Sequence, residues 1–181
     1  MEQIKELTKR LIANSFKELL LQNSFDKITI KMITDHANVI RPTFYNHFHD
    51  KYELVEWILK DDILYEARRL SGEASLEEGV RFIISRFYQE REYYKRAFEI
   101  TGQNGFRETL SGLLADYFDN IAAMNKDFGK GINFPKEFVG RYYSAGMIAV
   151  LMSVVEFSEE DNPEDLIEAY KYVLSFDFFK L

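Results

Sequence analysis

Apolar side chains recur at three- and four-residue steps from the start of the chain. Ile4, Leu7, Leu11, Ile12, Phe16, Leu19 and Leu20 are separated largely by Lys, Glu and other polar residues, the pattern of an amphipathic helix. Gln22, Asn23 and Ser24 end it. Thr29 then stands as N-cap before IKMITDHA, where Ile30, Ile33 and Ala37 mark the buried side. Asn38 follows where a left-handed residue would turn the chain, a conformation asparagine tolerates. A third short helix is predicted near 41–48. Residues 1–48 therefore read as one long helix and two short ones, the last two joined by a turn of about three residues.

The helical period continues. Lys51 to about Leu70 reads as one long helix. Ser75-Leu76-Glu77-Glu78 has the form of a capping box and opens the next. Further helices are predicted near 93–101 and 105–125, and Gly129, Gly131 and Pro135 punctuate a loop. Residues 136–157 are apolar almost all round. Asn162-Pro163-Glu164-Asp165 combines a cap, a first-turn proline and acids facing a positive helix end. It starts a last helix that runs to about Phe178. No strand pattern and no internal repeat interrupts this. The predicted fold class is all-α, with an N-terminal three-helix module over 1–50 and a C-terminal helical bundle over 51–181.

One stretch carries more than packing. Arg41 to His49 holds an arginine, three aromatics and two histidines. On a helix at about 100° per residue, Ile40, Phe44 and Phe48 form a narrow inner stripe. Pro42, Thr43, Tyr45 and Asn46 take the opposite side, with Arg41 and His47 on the flanks. Arginine pairs with guanine and asparagine with adenine, while threonine and tyrosine reach phosphate or a thymine methyl. With the preceding short helix and turn, this composes a helix-turn-helix for a major groove. The competing reading is an ordinary helical hairpin with a solvated polar face.

Charge at first argues against DNA, since the net formal charge is −7 over 181 residues. Its distribution changes that. Residues 1–51 hold eight Lys/Arg and six Asp/Glu, leaving 15 basic and 24 acidic residues elsewhere. The asymmetry suggests two modules with different partners.

Residues 28–54, ITIKMITDHANVIRPTFYNHFHDKYEL, resemble the DNA-binding signature of the tetracycline-repressor (TetR/AcrR) family of bacterial transcription regulators. "ITDHANV", "TFYNHF" and "DKYEL" stand in that family's order and spacing, and the resemblance covers roughly residues 8–60. It implies Thr29 and Lys31 near the DNA backbone, and Arg41, Pro42, Thr43 and Asn46 toward the groove. It also implies Tyr45 and His47 on phosphates, and Lys51 on phosphate with help from its helix's positive end. Three positions depart from the family. Asn38 replaces the usual turn glycine, Ile40 the usual serine-like cap, and Pro42 a small residue. "TFYNHF", the following "EL" and Trp57 further resemble the dihydroxyacetone-kinase-operon regulator subgroup, which leaves room for activation as well as repression and for a partner regulator.

The remaining candidates divide between chemistry and packing. Aromatics crowd residues 57–134, including Phe128 and Phe134. Trp57, Tyr65, Phe87, Tyr93, Phe98 and Tyr117 are candidates for a pocket that takes a small apolar or aromatic effector, against plain helix packing. The 136–157 helix mixes small residues with methionine and isoleucine, and suggests burial against a second copy in a two-fold dimer. Tyr142, Ala145, Gly146, Ala149, Met152 and Ser153, with Tyr170, Val173 and Leu174 of the last helix, are the interface candidates. The alternative is a central helix of the monomer core. His47 and His49 are two apart and point to different sides, and His49 with Glu53 lacks a third ligand, so no metal and no cofactor is expected. Tyr142 to Val155, the longest uncharged run, is 14 residues, short of the roughly 20 a membrane span needs. Cysteine is absent, the N-terminus lacks a signal-peptide core, and a cytoplasmic location is expected. Ser144 lies in YYSAG rather than a nucleophile elbow, and Gly129-Lys130-Gly131 is no phosphate loop. An enzyme is not expected. The two surviving classes are a dimeric operator-binding regulator and a non-enzymatic co-regulator that senses a ligand and acts through a partner.

Overall fold

The computed structural model describes residues 2–102, 104–124, 131, 135, 137–158 and 160–175, with the side chains of 2, 174 and 175 left aside. Ten α-helices and no strand occur among the described residues. The first four are α1 (Glu2–Gln22), α2 (Ile30–His36), α3 (Arg41–Tyr45) and α4 (Lys51–Leu59). Next come α5 (Tyr65–Glu73), α6 (Leu76–Gln89) and α7 (Arg91–Phe98). The last are α8 (Phe106–Met124), α9 (Phe138–Val154) and α10 (Pro163–Ser175). The chain forms two compact units, Met1–Asp61 with Glu92–Leu110, and Asp62–Arg91 with Ser111–Leu181.

In unit 1, α1 packs on α2 and α4, and α2 on α3. The predicted apolar set of α1 divides. Ile12, Phe16 and Leu20 are buried, whereas Ile4, Leu7 and Leu11 are exposed. Thr29 caps α2, its hydroxyl accepting from Met32 N–H at 3.1 Å. Asn38 takes φ 54°, the left-handed turn expected of it. Tyr93, Tyr94 and Ala97 of α7, with Ile100, Phe106 and Leu110, complete the apolar interior of this unit.

The helix predicted from Lys51 onward contains a π turn, Lys60–Leu64, between α4 and α5. One extra residue fits in such a turn, and the apolar spacing alone does not reveal it. In unit 2, α5 lies on α6, and α9 and α10 lie on α6 and on each other. Ser75 caps α6 through Glu78 N–H at 3.3 Å. The reciprocal half of the expected capping box is replaced, because Ser75 N–H donates to Leu70 O and the Glu78 carboxylate faces Arg81. Asn162 caps α10 by accepting from Glu164 N–H at 3.1 Å. Arg81 joins α6 to α10 through Glu164, and Lys171 returns to Glu77 at 2.8 Å. Phe128, Gly129, Lys130, Phe134 and Phe178 lie outside the described residues.

Two glycines mark close helix contacts. A Cβ at Gly79 would meet Ala67 O at 2.8 Å as well as the Ser71 and Tyr117 hydroxyls, and one at Gly140 would collide with Ala115 O and the Asp119 carboxylate. Gly72 and Gly112 face open space. Alanine raises helix propensity at all four, so the contacts decide the sign. Gly79→Ala and Gly140→Ala should each destabilise by about 1–3 kcal/mol. Gly72→Ala and Gly112→Ala should stabilise by about 0.4–1 kcal/mol. Urea unfolding of the four variants measures both signs.

Candidate nucleic-acid interface

The recognition segment is a short helix held from below. Phe44 and Phe48 are buried with ring centroids 5.7 Å apart, and Phe48 meets Trp57 of α4 edge-on at 5.8 Å. Pro42 occupies the first turn of α3, where its missing N–H costs nothing. The inner stripe is narrower than expected. Ile40 is 70% exposed, not buried, because it is the N-cap, with extended φ −83° and ψ 152°, and so lies off the helical register.

Arg41, Pro42, Tyr45 and Asn46 are exposed, and Thr43 and His47 half-buried. Arg41 and Tyr45 act as a pair. Arg41 Nη2 donates to the Tyr45 hydroxyl at 3.1 Å, and the guanidinium sits 5.5 Å over the ring. Asn46 closes α3 as its C-cap. Thr29, at the start of α2, accepts through its oxygen and can still donate its proton. Lys31 is exposed and paired with Asp35 at 2.7 Å, an i,i+4 ion pair that a phosphate can replace at little cost.

Lys51 is placed differently. Its Nζ donates to Phe25 O and Ile28 O, both at 2.7 Å, and lies 4.2 Å over the Phe25 ring. Burial lowers its pKa, with Asp26 pulling the other way. The ammonium thus ties the α1–α2 connection to the start of α4. That helix start is also occupied, since Asp50 Oδ1 accepts from Tyr52 and Glu53 N–H at 2.8 and 2.9 Å. His49 N–H donates to the Glu53 carboxylate at 2.6 Å. Among the described residues no group of three His, Cys, Asp or Glu is arranged to hold a metal.

His47 has a pKa below its ordinary value of 6.5, mainly through burial, then through Lys9 and Lys5, with Glu6 opposing. A neutral imidazole at pH 7 follows. Those two α1 lysines were not singled out from the sequence. Their i,i+4 spacing puts them on one face, but no local pattern places that face beside a residue some forty positions on.

The aromatic candidates are distributed over the two units. Trp57, Tyr93 and Phe98 belong to unit 1, where Tyr93 is edge-on to Tyr94 at 5.0 Å and Phe98 to Phe106 at 5.0 Å. Tyr65, Phe87 and Tyr117 belong to unit 2. Tyr65 is 74% exposed, Phe87 fully buried, and Tyr117 is buried with its hydroxyl 2.5 Å from Ser71 Oγ. Burial raises the Tyr117 pKa.

On unit 2, α9 and α10 enclose an apolar groove of about 460 Å³. Tyr142, Ala145, Gly146, Tyr170 and Val173 line it, with Tyr143, Val150 and Leu166. Tyr142 is 63% and Val173 59% exposed, and Ala149, Met152 and Ser153 are exposed on α9. The buried Tyr170 hydroxyl has no partner among the described residues, and burial pushes its pKa up. The side chain of Leu174 lies outside the described residues.

The chain is similar to known proteins. A family model described as "Bacterial regulatory proteins, tetR family" matches residues 17–58, and one described as "Transcriptional regulator C-terminal region" matches residues 74–175. The HTH-type dhaKLM operon transcriptional activator DhaS of Lactococcus lactis subsp. lactis is 27% identical over 146 residues, which is 80% of this chain and 77% of that protein. A solved structure named dihydroxyacetone kinase operon activator DhaS superposes with TM-score 0.67 at 22% identity, covering 92% of this chain and 93% of that one. A putative TetR-family regulator from Syntrophomonas wolfei superposes with TM-score 0.70 at 17% identity, covering 93% and 95%. These two structures share the fold.

The Lys51 geometry has a measurable consequence. Lys51→Met keeps the stem and removes two charge-assisted hydrogen bonds. It should destabilise the protein by about 1–3 kcal/mol in denaturant unfolding. Unchanged stability would mean that the ammonium does not rest on those carbonyls.

Proposed function

The chain belongs to the tetR family of bacterial transcription regulators, and we propose that it binds a near-palindromic operator as a homodimer. One observation carries this reading. A buried Phe44–Phe48 platform turns Arg41, Pro42, Tyr45 and Asn46 outward together. Arg41, Thr43 and Asn46 read base edges. Thr29, Lys31, Tyr45 and His47 hold phosphates. Lys51 acts one step removed, by fixing the loop before Thr29.

Two such modules read half-sites about 34–36 Å apart. The exposed apolar surface of α9 and α10, with its groove, supports the pairing of two copies there. A small apolar or aromatic effector, or a partner regulator, that prefers one spacing of the modules shifts DNA affinity by that preference alone. The relative from Lactococcus lactis is named an operon activator, so activation is tested beside repression.

Titration onto duplex DNA flanking the gene, against random competitor, tests the reading. Competitor-resistant binding by a dimer supports it, and weak binding to every duplex counts against it. Arg41→Ala should cost about 1–3 kcal/mol and relax preference at one base pair. His47→Gln should weaken all duplexes alike.

A pH series separates the His47 role further. In the free protein the depressed pKa means that stability from this group is complete above about pH 6.5. It is lost as pH falls through the lower folded value. Phosphate would raise that pKa in the complex, so binding should tighten as pH falls from about 7.5 to about 6. The slope should vanish in His47→Gln. A wild-type affinity that stays flat over this range would place no phosphate at His47.

A further inference from the structure

Two of the lysines expected at the DNA surface already have partners within the protein. Lys51 is on two backbone carbonyls, and Lys31 is paired with Asp35. Another cationic edge lies on α1. Lys9 Nζ stands 5.6 Å over the Trp57 ring. Trp57 meets Phe48 at 5.8 Å, and Phe48 lies next to His47 with ring centroids 6.3 Å apart. Lys9, Trp57, Phe48 and His47 therefore form a continuous row within unit 1. Lys5 is exposed one helical turn before Lys9, on the same face. Both lysines lie near enough to His47 to lower its pKa, after burial, as the same geometry requires.

We propose that Lys5 and Lys9 of α1 extend the DNA surface past the helix-turn-helix, contacting phosphates beside the one held by His47. The proposal rests on the operator-binding reading above. Trp57 steadies Lys9 by holding its ammonium over the ring face, a cation–π contact that leaves N–H groups for a phosphate. Glu6 is the built-in competitor, 2.8 Å from Lys9 Nζ. An i,i+3 pair of this kind is weak in water, so an approaching phosphate displaces it. Such contacts carry no base information. They add to affinity and to its salt dependence for every sequence alike.

The test is fluorescence anisotropy of the full chain on its operator duplex and on a random duplex, over a series of salt concentrations. Lys5→Gln/Lys9→Gln should make the log–log salt slope shallower by about 0.9 per lost contact, and raise Kd about eightfold per lost contact at ~0.1 M salt on both duplexes. Lys5→Arg/Lys9→Arg should keep the wild-type slope, because the charge is retained. Glu6→Gln should tighten binding to both. Circular dichroism confirms that each variant is folded. If wild type binds and the double glutamine variant keeps its slope, the α1 edge is overturned while the operator reading stands. If it loses affinity for the operator only, the contact is to bases, and the proposal fails in that form. If wild type binds neither duplex, both readings fall.

Discussion

A helix of five residues does not hold its shape in water, since nucleating the first turn costs more than so few hydrogen bonds return. The burial of Phe44 is therefore what makes α3 a helix. Phe48 lies just past its end and is buried as well, packed between Phe44 and Trp57. Fixing these two rings fixes the direction of every side chain between them. Arg41 and Tyr45 point outward because Phe44 points inward. The α2–α3 turn, with Asn38 at φ 54°, and the Thr29 cap set where that helix begins.

Charge around this platform is arranged by pairing as much as by position. The carboxylates of this module are largely committed to caps and ion pairs. Asp50 is turned into a helix cap, and Glu53 takes a backbone N–H of His49. Asp35 is matched by Lys31 and Asp61 by Arg10. A charge beyond about 10 Å is screened at ordinary salt, so the acidic excess elsewhere in the chain weighs less than these local pairings.

The helices were legible because burial imposes a 3.6-residue period. Thr29, Asn38, Ser75 and Asn162 were legible because cap and turn chemistry is local. Ile40 misled for a related reason. Its spacing to Phe44 fits a helical stripe, but the helix starts one residue later, and nothing in an i,i+4 count reveals the start. The expected capping box at Ser75 formed only by half, because Leu70 O offered the Ser75 N–H another partner. The π turn after α4 was silent, since one added residue leaves the composition unchanged. The resemblance implies Lys51 on phosphate, and its local sequence gives no sign of its protein partners. Two carbonyls more than twenty residues earlier in the chain turn it inward. No local pattern marks Lys5 and Lys9, because His47 is their neighbour in space and not in sequence.

The Arg41–Tyr45 pair bears on how recognition is reached. A free arginine side chain on a protein surface samples many rotamers, and fixing them against a base removes roughly 2 kcal/mol of conformational entropy. Here the guanidinium already lies on a phenol ring and donates to its oxygen. Part of that freedom is gone before any duplex arrives. The arm is pre-organised, and the base contact proposed for Arg41 would be an exchange, with a base edge in place of the tyrosine hydroxyl. Such an exchange is close to balanced for a poor base match and favourable only for a good one. On that proposal, the contact that rigidifies the arm would also set the threshold that a sequence must exceed.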